Sequence, residues 1–262
     1  MSTNTMVTED GLHVGMVEYN TWADAVQQIR GGEVPHADED TMAAWEAAGI
    51  ITRDGLASDW ALALKVAQEA TAAMEIVSVY REVAFDAMVF ALDEHLVTLT
   101  SRAAVEAAED GWQMVGMHIM LEVVLASRVD PWRLIRRVVP PLDLVRAQPR
   151  LPRRDELEPL TVDVSDMPED ALFDQELFSQ RLNQLPNLPP SLRDALDPVA
   201  SVFAYGLGQV DGQLRTSNDA WSVGEEALYH LIPGSPGVTK VPAGQLGAEL
   251  LMRLATVSGR TE

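Results

Sequence analysis

The densest run of apolar side chains lies between Ala73 and Thr100 and has the two-residue period of β-strands. Asp93-Glu94 interrupts the run in the manner of a turn. One set of alternating positions forms a largely apolar face: Met74, Ile76, Ser78 and Tyr80. We therefore predict an antiparallel meander whose apolar face is covered by helices.

The second half of the chain repeats this plan. Further strand-like segments occur at Val199–Tyr205, Glu226–Ile232 and Val238–Val241, and Asp211-Gly212 forms a turn between the first two. A helix is expected from Ala243 to about Val257. Two sheet-forming blocks thus organise the chain.

Helices are predicted wherever apolar residues recur with helical spacing after a capping residue. Asp38, Glu39 and Asp40 would lie in the first turn of one of them, where the helix dipole favours negative charge. Ser58 and Ser191 are expected to cap two others. The predicted helices are Trp22–Ile29, a helix from about Asp38 to Gly49, one that follows Ser58, Trp132–Val139 after Asp130-Pro131, Asp166–Leu185, Ser191–Leu196 and the final helix.

Two segments fit more than one structure. Trp112–Ser127 has three interpretations, namely one long strand, two short strands or a helix, and we choose strand because of its Val and Ile content. Ser101–Asp110 is rich in Ala and Glu and is expected to be a short helix or a mobile insertion.

The expected organisation is a mobile N-terminus, residues 1–15, followed by one α+β domain, residues 16–262. The domain would consist of two related halves, about 16–142 and 159–258, joined by a Pro/Arg-rich linker, 143–158. A strand, a proline and an amphipathic helix occur in this order around Pro131 and again around Pro242. This correspondence suggests a quasi-two-fold fold that offers a broad surface and no deep cleft.

Charge and composition narrow the classes of partner. With 40 acidic and 19 basic residues the net charge is −21, which disfavours nucleic-acid binding. Arginines cluster between Arg128 and Arg154, and a solvated basic helix end and linker is favoured over an anion or partner site. No apolar run has the length of a membrane span and the first residues do not form a signal peptide, so we expect a cytoplasmic protein without membrane insertion.

Catalytic constellations are scarce. The chain has no cysteine, and its five histidines show no spacing typical of metal ligands. Asp93-Glu94-His95 is the nearest approach to a site, but consecutive residues of a hairpin point in alternating directions. Trp112, Trp132 and Trp221 are interpreted as core or sheet-face residues. We predict no catalytic residue, no metal site and no cofactor.

Several short motifs, in order, resemble the EspG family, the cytosolic chaperones of actinobacterial type VII (ESX) secretion systems. The resemblance spans about Trp22 to Val257. It rests on the helix around Trp22, Trp45-Glu46-Ala47-Ala48-Gly49-Ile50-Ile51 with Asp54-Gly55-Leu56, the strand-rich Met74–Thr100, Val129-Asp130-Pro131-Trp132-Arg133-Leu134, the proline-rich linker and Trp221–Ile232 before the closing strand, proline and helix.

The resemblance implies an α+β fold with a central antiparallel sheet, helical bundles on its flanks and quasi-two-fold related halves. It also implies that the chain binds a PE/PPE-like helical pair in the cytosol, covers its apolar tip and keeps it soluble before export. Methionine side chains adapt well to such a partner, although they also fit a core. The candidate partner-binding residues are Trp112, Met114, Met117, Met120, Leu214 and Trp221.

Two other functions remain open from the sequence. One is a small-molecule-binding or catalytic α+β protein with a site beside the sheet, using Asp93, His95 or His118. The other is a self-associating scaffold, for instance a homodimer. The identity of the substrate and the face that binds it also remain open.

Overall fold

A computed structural model describes residues 6–8, 11–108, 111–127, 130–160, 189–210, 212–231 and 238–257. Its fold is α+β and is built on a large antiparallel sheet. The strands are β1 (Met6–Thr8), β2 (Gly11–Glu18), β3 (Ile51–Thr52), β4 (Gly55–Leu56), β5 (Ala72–Tyr80), β6 (Val83–Leu92), β7 (His95–Ala108), β8 (Gly111–Met117), β9 (Met120–Ser127), β10 (Glu158–Leu160), β11 (Ala200–Val210), β12 (Gln213–Val223), β13 (Leu228–Leu231) and β14 (Val238–Val241).

Twelve of these strands form one sheet in the order β1-β2-β9-β7-β6-β5-β11-β12-β13-β14-β10, with β8 paired to the far end of β7. The predicted meander is confirmed as β5, β6 and β7, and Asp93 and Glu94 connect the last two strands. The strands predicted in the second half are confirmed as β11, β13 and β14, with β12 following the predicted turn. β3 and β4 form a separate small hairpin.

The helices are α1 (Tyr19–Gln28), α2 (Glu39–Ala47), α3 (Ser58–Glu69), α4 (Pro131–Ile135), α5 (Asp143–Arg146), α6 (Pro190–Leu196) and α7 (Gln245–Val257). The carboxylate of Asp38 caps α2 and accepts a hydrogen bond from the amide of Thr41 at 2.9 Å. Ser58 and Ser191, by contrast, lie inside their helices, after Ala57 and Pro189 as the N-caps. The predicted helix Asp166–Leu185 lies outside the described residues. None of the helices in the described ranges is long and apolar enough to cross a membrane.

Helices pack on both faces of the sheet. Helices α4, α5 and α7 cover one face, which we call the α7 face, where Met74, Ile76 and Val202 are buried. Helices α1, α2 and α3 cover part of the opposite face, the α1 face, over β6, β7, β9 and β2. The short helix α6 packs on the α1 face near its other edge, against β13 and β10. A strip of the α1 face, centred on β11, lies between these two helical covers.

The strands form two four-stranded meanders, β5-β6-β7-β9 and β11-β12-β13-β14. In each case an earlier strand, β2 or β10, pairs with the last strand of the meander. Each last strand is followed by a proline and a helix, as predicted around Pro131 and Pro242. The two meanders join where β5 pairs with β11 along nine residues, from Tyr80↔Ala200 to Ala72↔Gly208.

The structure corrects two sequence expectations near the first meander. Ser101–Ala108 is neither a helix nor an insertion, because it continues β7 and pairs with β8. Gly11–Glu18 forms β2 and pairs with β9, so the sheet includes residues 11–15, which we had assigned to a mobile N-terminus. The ambiguous segment Trp112–Ser127 forms two strands, β8 and β9.

The linker is packed against the core. Val145 of α5 is buried, and the amide of Arg150 donates to the carbonyl of Gly244 at 3.1 Å. The Arg150 guanidinium makes two hydrogen bonds, of 2.8 and 3.1 Å, to the Glu156 carboxylate and holds its pKa at about 2. Arg137 likewise pairs with Glu122 at 3.3 Å. These arginines therefore stabilise the fold locally.

Candidate protein-binding surface

A row of large apolar side chains projects from the uncovered strip of the α1 face. It consists of Phe203, Tyr205 and Leu207 on β11, whose exposed fractions are 50, 45 and 39%. Alternate residues of a strand point to the same face, so the three side chains form a continuous ridge. We call these three residues the aromatic row. None of the three is among the site residues predicted from the sequence.

The opposite side of β11 explains why the aromatic row faces outward. Val202 and Ala204 are buried on the α7 face, followed by Gly206 and Gly208. A Cβ atom added at Gly208 would collide with the carbonyl oxygen of Val257, at the end of α7, and one at Gly206 would lie 3.3 Å from a Val257 methyl group. Because α7 approaches the backbone so closely at Gly206 and Gly208, no larger side chain fits on its side of this end of the strand.

The strand next to the row adds both apolar and acidic side chains. Val77, Glu75 and Ala73 of β5 lie opposite Phe203, Tyr205 and Leu207 in the cross-strand register. Directly opposite residues share a face of the sheet and lie close enough for their side chains to interact. The strip is therefore an apolar platform with a carboxylate at its centre.

Towards the first-half helices the strip continues into a groove of about 770 Å³ between α1 and the sheet, which we call the α1 groove. The amide of Tyr19, the first residue of α1, donates to the carbonyl of Ile119 at 3.0 Å and fixes the helix beside the β8–β9 connection. The apolar walls of the groove are Trp22, Met88, Phe90, Leu99 and Leu121. A groove therefore interrupts the expected broad surface in this region.

Five residues with polar side chains line the α1 groove, namely Glu18, Asn20, Asp86, Ser101 and His118. Asp86 and Ser101 face each other across β6 and β7, and burial raises the pKa of the Asp86 carboxyl. His118 also lines the groove, but its Nδ1 accepts a hydrogen bond from the amide of Met120 at 3.2 Å. For the two carboxylates, Glu18 and Asp86, the described part of the chain shows neither a side-chain hydrogen bond nor an ion pair.

The structure does not bring the six sequence-predicted residues together. Met114 and Met117 are exposed on β8, near the β5–β6 turn, whereas Leu214 is 70% exposed beside the β11–β12 turn, at the opposite end of the strands. Met120 is half-buried at the start of β9. Trp112 belongs to β8, and its side chain is outside the description. Of the set, Met117 lines the α1 groove.

Trp221 conflicts with its predicted place on a binding surface. It is 1% exposed and stacks on His230 with ring centroids 5.3 Å apart. Nε2 of His230 lies 2.7 Å from Oδ1 of Asp219, and the other oxygen of Asp219 contacts Arg253 of α7. This buried cluster ties α7 to β12 and β13, so we assign Trp221 to the core.

Residues suggested for a catalytic alternative are also separated. Asp93 lies in the β6–β7 turn with a φ of 46°, and His95 begins β7 beside Ser127. His118 lies near the other end of β7, where its amide donates to the carbonyl of Arg102. Within the described ranges, no group of three His, Asp or Glu side chains could hold a metal ion.

The architecture defines a class, the α+β proteins built on one extended antiparallel sheet with helices on both faces. Among solved structures the chain is similar to the Mycobacterium tuberculosis type VII secretion system chaperone EspG5, determined in complex with the PE25-PPE41 dimer. The TM-score is 0.56 and the sequence identity 14%, with 92% of this chain and 95% of that chain covered. At this identity the likeness shows the fold. No family model matches the sequence. No curated protein matches it either.

Proposed function

We propose that this chain is a cytoplasmic, non-catalytic chaperone that binds PE/PPE-like helical pairs of a type VII secretion system and keeps them soluble before export. The aromatic row carries the proposal. Three neighbouring apolar side chains, 39 to 50% exposed, form a patch of the kind that marks a binding surface on a soluble protein. Covering such a patch contributes about 25 cal/mol per Å² of apolar surface.

The fold comparison supports the kind of partner. EspG5 has this fold over nearly its whole length and was determined with a PE25-PPE41 dimer. A helical pair with an apolar tip would aggregate if left exposed, and a broad apolar platform is suited to cover it. We also propose that the two halves are related by a quasi-two-fold axis between β5 and β11, a relation supported by the equivalent order of their strands.

Co-expression with PE/PPE-like pairs encoded beside the gene for this chain tests the proposal. We expect one pair to co-purify with the wild-type chain. Phe203→Asp and Tyr205→Asp should each weaken that complex by at least about 2 kcal/mol, because aromatic residues at the centre of an interface are commonly hot spots.

Leu151→Asp is the matched control. Leu151 is exposed in the linker, which packs beside α7 on the opposite face of the sheet. The same apolar-to-acid change there should leave the complex intact. If no pair co-purifies, or if the control weakens the complex as much as the aromatic-row variants do, the proposed function is wrong.

A further inference from the structure

The aromatic row and the α1 groove belong to one continuous surface. Tyr205 lies opposite Glu75 of β5, and Glu75 lies opposite Met88 of β6, which lines the groove. In the next row on the same face, Phe203 lies opposite Val77, and Val77 lies opposite Asp86. Two strand spacings, about 10 Å, thus separate the row from the groove. A partner that covers the row would therefore reach the groove as well.

Asp86 gives this surface a charge at a defined position. Burial is the cause that raises its pKa, and the described part of the chain shows no cation within ion-pair distance of its carboxylate. Glu75 lies diagonally from Asp86 on the neighbouring strand and on the same face. A partly desolvated carboxylate is stabilised when a cation from outside reaches it. The net charge of −21 also attracts a basic partner at long range.

The rim of the groove indicates the size of its occupant. Tyr19, Met117 and Ile119 surround the opening, and each is about 60% exposed. A small molecule inside the groove would leave these apolar side chains in water. A polypeptide segment would fill the groove and cover the rim at once, as an amphipathic helix does in an apolar groove.

We propose that the α1 groove, with Asp86 in its lining, selects a partner segment that carries a Lys or Arg beside its apolar side chains. The inference rests on the proposed function, because the aromatic row makes the main contact with the partner. The groove then distinguishes partners with a basic side chain from partners with an acidic one. A basic side chain in the partner would pair with Asp86, and an acidic one at the same position would be repelled.

Short amphipathic helical peptides provide the probe. Three fluorescein-labelled peptides share one apolar face and differ at a single position, which is Lys, Glu or norleucine. Their affinity for the full chain is measured by fluorescence anisotropy at low ionic strength. We expect the Lys peptide to bind about tenfold more tightly than the Glu peptide, a difference of about 1.4 kcal/mol.

Asp86→Asn should reduce this preference, since Glu18 and Glu75 remain nearby, and leave the affinity for the norleucine peptide unchanged. The control is Glu94→Gln, which removes a carboxylate in the exposed β6–β7 turn and should retain the preference. Equal binding of the three peptides by the wild-type chain would overturn the inference. The same holds if none of them binds.

A second pair of variants tests the groove itself. Ala23 lines the groove on α1, so Ala23→Trp should fill it and weaken the Lys peptide about tenfold. Gln27 is exposed on the same helix and does not line the groove, so Gln27→Trp should have no effect. Circular dichroism checks that both variants fold. Equal effects of the two substitutions would contradict the assignment.

The outcomes separate this inference from the proposed function. If a PE/PPE-like pair binds and Asp86→Asn leaves its affinity unchanged, the charge selection is wrong while the chaperone proposal stands. If the peptides show the Asp86-dependent preference and no such pair co-purifies, the inference stands and the proposed function fails. Binding of 4-phenylbutylamine, seen as a shift of the Trp22 indole NMR signal, without binding of any peptide would replace the polypeptide with a small organic cation.

Discussion

On the α1 face of the sheet, apolar side chains are buried in one region and exposed in another. On β7 and β9, Val97, Leu99 and Val123 are buried beneath α1, α2 and α3. On β11, Phe203 and Tyr205 occupy equivalent positions of the same face and stay half exposed. Both regions have apolar side chains at alternate positions. The alternation of a strand therefore predicts an apolar face, but not whether the helices of the same chain cover it.

The largest expected difference between the two regions is the loss of unfolding free energy when an aromatic side chain is removed. Trp60 of α3 is buried against β2, where a Cβ at Gly15 would lie 2.8 Å from its ring, and it contacts Trp22. Trp60→Ala should cost about 3–5 kcal/mol of unfolding free energy, as expected for a buried aromatic residue. Phe203→Ala should cost less than about 1 kcal/mol, because that side chain lies at the surface. Urea unfolding of both variants measures the difference, and similar costs would show that Phe203 belongs to the core.

A smaller effect concerns the reason why the row faces outward. Gly208→Ala places a methyl group against the carbonyl of Val257, so we expect a loss of about 1–3 kcal/mol and faster amide exchange at the end of α7. Gly116→Ala in β8 is the control, since nothing lies within 4 Å of the added Cβ. It should change stability by less than about 0.5 kcal/mol. Equal stabilities of the two variants would remove the close approach of α7 as the cause.

The smallest expected effect concerns α6, the helix that packs on the α1 face of the second meander. Its helix α6 is attached to β13 by the Asp194 carboxylate, which accepts hydrogen bonds from the Tyr229 hydroxyl and the Glu225 amide, both at 2.8 Å. The pKa of the Tyr229 hydroxyl is raised, mainly by burial and secondly by its hydrogen bond to Asp194. Tyr229→Phe should therefore cost about 1 kcal/mol in thermal unfolding. Tyr205→Phe should be neutral, because its hydroxyl makes no hydrogen bond to the described part of the chain.

Much of the sheet is predictable because its signals are local. Strict alternation and the Asp93-Glu94 turn predict β5, β6 and β7, and Asp130-Pro131 predicts the start of α4. β2 has no comparable signal, since its partner β9 lies more than a hundred residues away in the chain. In Ser101–Ala108 the Ala and Glu content favours a helix, but pairing with β8 overrides this local preference.

The candidate binding surface is harder to predict. The segment from Val202 to Gly208 alternates between two apolar sets, and either could face the core. The choice depends on Val257, which lies at the far end of the chain and fits only against glycine. The one available signal is that Ala204, Gly206 and Gly208, at every second position, are small. The site residues predicted from the sequence are methionines, tryptophans and Leu214 instead, and the structure distributes them between two ends of the sheet and the core.

Within the sheet, the two meanders meet along a single seam, the nine-residue pairing of β5 with β11. A fragment cut at the linker would expose that seam as a long unpaired edge, and such edges recruit further strands. Because the native partner across the seam is antiparallel, two copies of the same fragment could pair there around a two-fold axis. Severed halves of this protein are thus expected to assemble with themselves as well as with each other.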